Sequence, residues 1–391
     1  MSTITDVARE ARVSVATVSR VVNGHPNVTA ETRQRITEIV ARLRYVPHTA
    51  ARSLITRRTH MIGVLLPDLH GEFFSELIRG IDTAARDHQL HLLLSSSHGA
   101  AAEMASAIRA MHGRVEGLIV LAPQLDTAAL TELDPTVPTV FINSRAAGGA
   151  PSLAIDNYGA ARAMVRHLVE CGHRTVAHVT GPQDNFDAHE RERGYRDELA
   201  ASLPSARPIV VRGDFTETSG YAAGRALAAM PRRPAAAFVA NDAMAIGCLA
   251  ALAELGVAVP GDIAVTGFDD IPLAAFARPA LTTMRVPIVE LGRGAVTRLV
   301  ELIAHVEPAA DTAAGARAAA RAAATAATLS PELVVRESSG AARIPSPSRP
   351  PSDGEPDVQL PQRTQSRVER RPAAAARPSR PPAGRRATRR R

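Results

Sequence analysis

Seven short apolar runs, each separated from the next by a stretch of helical periodicity, restrict this chain more than any other feature. They are Ile62–Leu66, Leu90–Leu94, Gly117–Leu121, Val137–Ile142, Thr175–Val179, Ala235–Val239 and Ile263–Gly267. None shows a regular apolar/polar alternation, so each reads as a strand covered on both faces. The strand-helix-strand order is that of parallel sheets flanked by helices. So many units exceed one comfortable sheet, and the expectation is an α/β body of two lobes with a cleft between the carboxyl ends of their strands. Polar residues just past those ends become the first candidates for a ligand site.

The residues ahead of this body follow a different rule. Ile4, Val7, Ala8 and Ala11 recur at three- and four-residue steps behind Thr3, which is placed to cap a first helix. Ser14 caps a second, in which Val18, Val21 and Val22 face inward while Val15, Ala16, Ser19 and Arg20 face outward. Asn23-Gly24 ends it, because both residues tolerate positive φ. A third helix is expected from about Ala30 to Leu43 behind Thr29, burying Ile36, Ile39, Val40 and Leu43. Three short helices around one small core, the first two forming a compact helix-turn-helix, are an all-α headpiece.

Charge divides the same way. Residues 1 to 60 carry ten Arg against four acidic residues, a net of +6, which suits contact with phosphates. Residues 61 to 340 hold twenty-three Arg against thirty-one acids, and residues 341 to 391 thirteen against four. An acidic body between basic ends would repel DNA while its ends attract it.

At 391 residues and 45% hydrophobic, the chain can bury a large core and a small one besides. It has no charged start followed by an apolar run and no apolar stretch near eighteen residues, so neither secretion nor membrane insertion is expected. The expectation is a cytoplasmic, nucleoid-associated protein. Cys171 and Cys248 lack metal-ligand spacing and read as reduced, buried fillers. His167, His173 and His178 are spaced for separate surroundings, and no nucleophile elbow, Walker loop, His-Glu-x-x-His or Cys-x-x-Cys occurs. No catalytic residue, metal or cofactor is expected.

The amino-terminal motifs are more specific than their periodicity. The stretches Thr5-Asp-Val-Ala8, Val13-Ser-Val-Ala-Thr-Val-Ser-Arg-Val-Val-Asn-Gly24, Thr32-Arg33 and Leu43-Arg-Tyr-Val-Pro-His-Thr-Ala-Ala-Arg-Ser-Leu54 stand in order. Over residues 1 to about 338 the chain resembles transcription regulators of the lactose-repressor (LacI) family. The resemblance implies a sequence-specific DNA-binding repressor whose operator affinity is set by a small molecule held between two periplasmic-binding-protein-like lobes. It implies domains at 1–45 (helix-turn-helix), 46–59 (hinge) and 60–338 (body), with lobe 1 at about 60–156 and 287–306 and lobe 2 at about 157–284 and 329–338. An Ala-rich insertion at about 307–328, read as helical, and a disordered Pro/Arg-rich tail at 341–391 depart from the family pattern. The tail is either an arm adding nonspecific DNA affinity or dispensable.

Carried over residue by residue, the DNA-binding candidates are Thr5, Ser14, Val15, Ala16, Thr17, Ser19, Arg20, Asn23, Ala51 and Leu54. Arg20 can fork onto guanine O6 and N7, whereas Val15 and Ala16 offer only apolar contact. Leu54 matches the family's hinge leucine, which enters the minor groove at the centre of a pseudo-palindromic operator, so two hinges and hence a homodimer, or a higher assembly of such pairs, are implied.

The effector candidates are Asp68, Phe73, Phe74, Arg145, Arg191, Phe215, Asn241, Asp242 and Asp269, with Asn143 and Phe276 behind them. Arg191 corresponds to the family's effector-contacting arginine. Asn241-Asp242 and Asp269 close strands, where carboxylates and amides suit vicinal hydroxyls. One of Phe73 and Phe74 equally reads as core, and Asp242 as a helix cap at Ala243. Val286 stands where many relatives carry Gln, which removes one polar contact. A sugar or polyol is the expected effector. The alternatives are a nucleoside or purine, a partner protein in place of a small molecule, or a solute-binding protein, against which the headpiece argues.

Overall fold

The structure, a computed structural model, describes residues 2–45, 58–121, 136–143, 151–306 and 326–340. Ala51 and Leu54 of the expected hinge, Arg145, most of the Ala-rich insertion and the 341–391 extension lie outside the described residues.

The headpiece is α1 (Ile4–Ala11), α2 (Val15–Val22) and α3 (Ala30–Arg42). Each is started by the hydroxyl read from the sequence. Thr3 and Asp6 form a reciprocal capping box, Ser14 accepts from the Thr17 amide at 3.1 Å, and Thr29 accepts from the Thr32 amide. Gly24 takes the positive φ after α2, whereas Asn23 does not. Val7, Ala8, Ala11, Val18, Val21, Ile36, Ile39 and Tyr45 form its core, with Val22, Val40 and Leu43 half-buried around them.

In the body, strands β1 (Met61–Leu66), β2 (His91–Ser96), β3 (Gly117–Leu121), β4 (Thr139–Ile142), β6 (Val176–Val179), β8 (Ala236–Val239) and β9 (Ala264–Thr266) occupy the seven apolar runs. The remaining strands are β5 (Ser152–Ile155), β7 (Ile209–Val211), β10 (Thr283–Arg285), β11 (Ala326–Leu329) and β12 (Glu332–Val334). Among the described residues, lobe 1 holds a six-stranded sheet in the order β11-β5-β4-β3-β1-β2, and lobe 2 a four-stranded sheet in the order β7-β6-β8-β9. Every pairing within these two sheets is parallel.

Helices cover both lobes. They are α4 (Glu72–Asp87), α5 (Ala101–Met111), α6 (Asn157–Glu170), α7 (Phe186–Ser202), α8 (Glu217–Ala229), α9 (Asp242–Glu254) and α10 (Ile288–Val306). Glycines let α8 and α9 touch backbone to backbone: a Cβ on Gly220 would lie 2.0 Å from Met244 O, and one on Gly247 2.0 Å from Glu217 O.

The chain passes between lobes before α6, between β10 and α10, and between β11 and β12. The last passage corrects the sequence reading. Ala326–Thr328, expected at the end of a helical insertion, and Leu329, expected in lobe 2, pair in parallel with Ser152–Ile155 as the edge strand of lobe 1. The open edge of β5 supplies backbone partners that outweigh the helical preference of Ala. The segment Glu332–Val334 instead pairs antiparallel with Thr283–Arg285, forming a two-stranded ribbon at the crossover. A short turn of 3-10 helix, Glu337–Ser339, then anchors in lobe 2, where the Thr282 amide donates to Ser338 Oγ at 2.8 Å.

Candidate functional site

On α2, burial of Val18 and Val21 fixes the opposite face outward. Val15 is 43% exposed, and Ala16 and Arg20 are exposed beside it. Ser14 Oγ and Thr17 Oγ1 lie 2.9 Å apart, and Asn23 Nδ2 donates to Ser19 Oγ at 3.2 Å, so the polar residues of this face brace one another. Thr5 is exposed on α1. The result is a short helix presenting one arginine and two small apolar side chains, a shape that fits a major groove.

The cleft is built from segments far apart in the chain, each emerging from a strand end. Asn143 follows β4 in lobe 1, Asn157 opens α6, Asp187 and Arg191 stand one turn apart on α7, and Asp269 follows β9. All five are at least nine-tenths buried. Arg191 Nε donates to Asn157 Oδ1 at 2.8 Å, its Nη1 donates to Ala240 O at 2.5 Å, and its Nη2 lies 3.6 Å from Asp269 Oδ1. The guanidinium lies over the Phe268 ring at 3.7 Å from the centroid and faces the Phe215 ring at 5.8 Å. Asp187 accepts from Asn143 Nδ2 at 3.0 Å and from Asn157 Nδ2 at 2.9 Å. The Asn143 bond joins lobe 1 to lobe 2.

Asp269 is held by its backbone and left open at its side chain. Its amide donates to Met284 O and its carbonyl accepts from the Val286 amide, which fastens it to the crossover strand at φ 112°. Asp269 Oδ1 accepts no hydrogen bond among the described residues. Burial pushes this carboxyl up to about 7, against the pull of Arg191 and with a further push from Asp187. Burial likewise raises Asp187 to about 6, opposed by Arg191 and the two amide donors.

The other candidates take different places. Asn241 caps α9, accepting from the Met244 amide at 3.0 Å, and its Nδ2 donates to Phe215 O at 3.0 Å, holding Phe215 at φ 73°. Asp242 is fully buried one residue into α9, so the cap expected of it falls to Asn241. Its Oδ1 accepts from the Thr283 hydroxyl at 2.6 Å and its Oδ2 from the Ile271 amide at 3.0 Å. A Cβ on Gly267 would sit 2.0 Å from Asp242 Oδ1, so glycine is required there for the carboxylate to reach the crossover strand. Burial, and the neighbouring Asp269 after it, raise Asp242 well above the ordinary carboxylate range.

Asp68 is exposed and turns back on its own loop, accepting from the Leu69 and His70 amides at 2.7 and 3.0 Å. Phe73 and Phe74 meet edge to face at 5.5 Å and are half-buried against the lobe 1 core. Phe276 is 72% exposed on a lobe 2 loop. Val286 is buried. His167 and His173, expected in separate surroundings, converge on Ser339, at 3.1 Å from its Oγ and 2.9 Å from its carbonyl oxygen. Burial drives His178 down to about 4, stacked between Tyr195 and Phe238. Cys248 is buried and Cys171 half-buried.

Asn157 and Asp187 were not among the sequence candidates. Asp187 could have been found from its spacing, four residues before Arg191 and hence on the same helix face. Asn157 follows a strand of only four residues, too short to stand out.

A basic-faced helix-turn-helix preceding a two-lobed α/β body with a polar cleft defines a ligand-responsive DNA-binding regulator. Comparison with known proteins agrees. Residues 3–48 match the model for bacterial regulatory proteins of the lacI family, and residues 165–339 that for a periplasmic binding protein-like domain. The chain is 36% identical to catabolite control protein A of Priestia megaterium over 304 residues, 76% of this chain and 92% of that protein. It is 37% identical to the ribose operon repressor of Escherichia coli (strain K12) over 309 residues, 78% and 93% of the two chains. A crystal structure of the Lac repressor dimer bound to operator and the anti-inducer ONPF superposes with a TM-score of 0.74 at 29% identity, covering 86% of this chain and 99% of that one. The chain belongs to the LacI family of bacterial transcription regulators. It is a DNA-binding regulator under small-molecule control and not an enzyme.

Proposed function

We propose that this regulator represses a sugar- or polyol-responsive operon from within the cytoplasm, associated with the nucleoid. As a homodimer it grips a pseudo-palindromic operator, with Arg20 forking onto a guanine and Val15 and Ala16 meeting apolar base edges. Thr5, Ser14, Thr17, Ser19 and Asn23 position the helix against phosphates, and the hinge, through Ala51 and Leu54, opens the central step. The Lac repressor structure, a dimer on operator, supports this assembly.

The effector lies between the lobes against Arg191, Asp269, Asp187 and Phe215, with Arg145 and the Phe73-Phe74 pair closing from lobe 1. Asn241 and Asp242 hold this wall in place. The observation that carries the reading is the open Oδ1 of Asp269: a buried carboxylate oxygen that accepts no hydrogen bond, 3.6 Å from a guanidinium whose other two nitrogens are bonded to Asn157 and Ala240, fits a ligand that brings hydroxyl hydrogens. One relative, the ribose operon repressor of Escherichia coli, points to the same class.

Because Asp269 is bonded through its backbone to Met284 in β10 and to Val286 just past it, ligand contact there bears directly on the crossover between lobes. A coupling of about 1–3 kcal/mol would change operator occupancy about 5- to 150-fold. The test is a thermal-shift series with D-ribose, other pentoses, hexoses, sugar phosphates and nucleosides, followed by operator titration with each stabilising compound. A nucleoside or phosphorylated compound stabilising the chain to the exclusion of neutral sugars would overturn the sugar reading.

A further inference from the structure

Three buried carboxyls, Asp187, Asp242 and Asp269, surround the effector site. Among the described residues, Arg191 forms the one ion pair to this group, at 3.6 Å from Asp269. All charged groups packed around Asp269 enter the balance. Arg191 and Asp187 face it from α7 and Asp242 from α9. The adjacent Asp270 is already paired at 2.7 Å with each of Arg285 on β10 and Arg336 beyond β12. Asp270 offsets one of those two positive charges, and even with the other counted the fully ionised inner three would keep one negative charge uncompensated away from water, an arrangement proteins avoid by binding a proton.

The hydrogen bonds sort the three. Asp242 can hold a proton on Oδ1 and donate it to the Thr283 hydroxyl oxygen, and burial, with Asp269 after it, favours that state over the pull of its Thr283 and Ile271 donors. Asp187 receives two amide donors, which favour its ionised form. Asp269 Oδ1 receives none. We infer that Asp269 holds a proton in the ligand-free regulator, and that a ligand hydroxyl donating to Asp269 expels this proton to solvent, making effector binding pH-dependent. This inference rests on the effector reading of the cleft. The step balances: the carboxyl O–H bond breaks, the proton passes to the buffer, and the carboxylate oxygen accepts the ligand's O–H. Burial raising Asp269 to about 7, above Asp187 at about 6, gives the same order of proton affinity. Ionisation of Asp269 then rises about tenfold from pH 6 to pH 8, and ligand affinity with it.

The experiment is an infrared titration of the full chain without ligand, following the carbonyl stretch of protonated carboxylic acid between pH 5 and 9. The expected result is a band component that persists at pH 6, fades on passing neutrality and is missing from Asp269→Asn of unchanged circular dichroism, over a pH-independent component from Asp242 that both chains share. In Asp187→Asn, removing one negative neighbour should move the midpoint to lower pH, an effect that a purely structural role for Asp187 would not produce. A titration without such a band, or the same band with the same midpoint in both variants, overturns the inference. Because no ligand is added, that failure is separate from failure of the effector reading, which the thermal-shift series decides. For a sugar active in that series, a dissociation constant about tenfold lower at pH 8 than at pH 6 supports proton expulsion, and equal constants contradict it.

Discussion

The reading face of α2 and the cleft cluster place polar groups under opposite conditions. On α2 the functional side chains stand in water, and two inward valines hold the helix, so Arg20 keeps its hydration until DNA replaces it. In the cleft, five side chains from four segments are withdrawn from water, four of them hydrogen-bonded to one another and Asp269 set beside Arg191. An exposed site tolerates change one residue at a time, whereas a buried network transmits any change to its members. DNA recognition and ligand sensing should accordingly be separable by mutation, and unequal in what each mutation disturbs.

The largest expected effect lies beneath the cleft. Gly267→Val would drive a side chain into Asp242 and break its bonds to Thr283 and Ile271, destabilising the body by about 3 kcal/mol or more. Chemical denaturation should show an early body transition while the headpiece, with its own core, melts as before. Next is Asp269→Ala, which should abolish the stabilisation of ~2.7 kcal/mol that a sugar gives at a hundred times its dissociation constant. Operator affinity without sugar should stay near that of the parent, and operator loss with a normal sugar response would reassign the residue.

Arg20→Ala sharpens the contrast from the other side. It should weaken specific operator binding by about 1–3 kcal/mol in fluorescence anisotropy and relax discrimination at one base pair, leaving the sugar-induced thermal shift unchanged. The smallest effect is expected of Ser14→Ala, which removes the amide acceptor at the start of α2. A loss of about 1 kcal/mol of headpiece stability, read by circular dichroism, would accompany a modest fall in operator affinity.

The same contrast explains what could be read from the sequence. A face set by Val18 and Val21 is periodic, so α2 and its caps were legible residue by residue. Six of the seven continuous apolar runs announced their strands for the same reason, being buried on both sides, whereas β2 lies at the sheet edge with Leu94 exposed. Strands whose place depends on a neighbour were not legible: Ile209–Val211 is only three residues long, and Ala326–Leu329 becomes a strand because β5 offers an edge. In the cleft, Arg191, Asp269 and Phe215 were found and are brought together. Asp242, read as a ligand contact or a helix cap, has one oxygen on the Thr283 hydroxyl of the crossover strand and the other on the Ile271 amide, and Asp68 serves its own loop. Asn157 gains its meaning only when α6 and α7 pack, which no local pattern encodes, and Asp187 is signalled only by its spacing from Arg191.

The most direct measurement is an operator titration of parent, Arg20→Ala and Asp269→Ala chains, each with and without a sugar that stabilises the parent. Separable sites predict that Arg20→Ala loses operator affinity but still melts higher with the sugar, while Asp269→Ala binds operator as the parent does and no longer responds. If both variants lost operator binding and sugar stabilisation together, the reading face and the cleft would not be distinct sites.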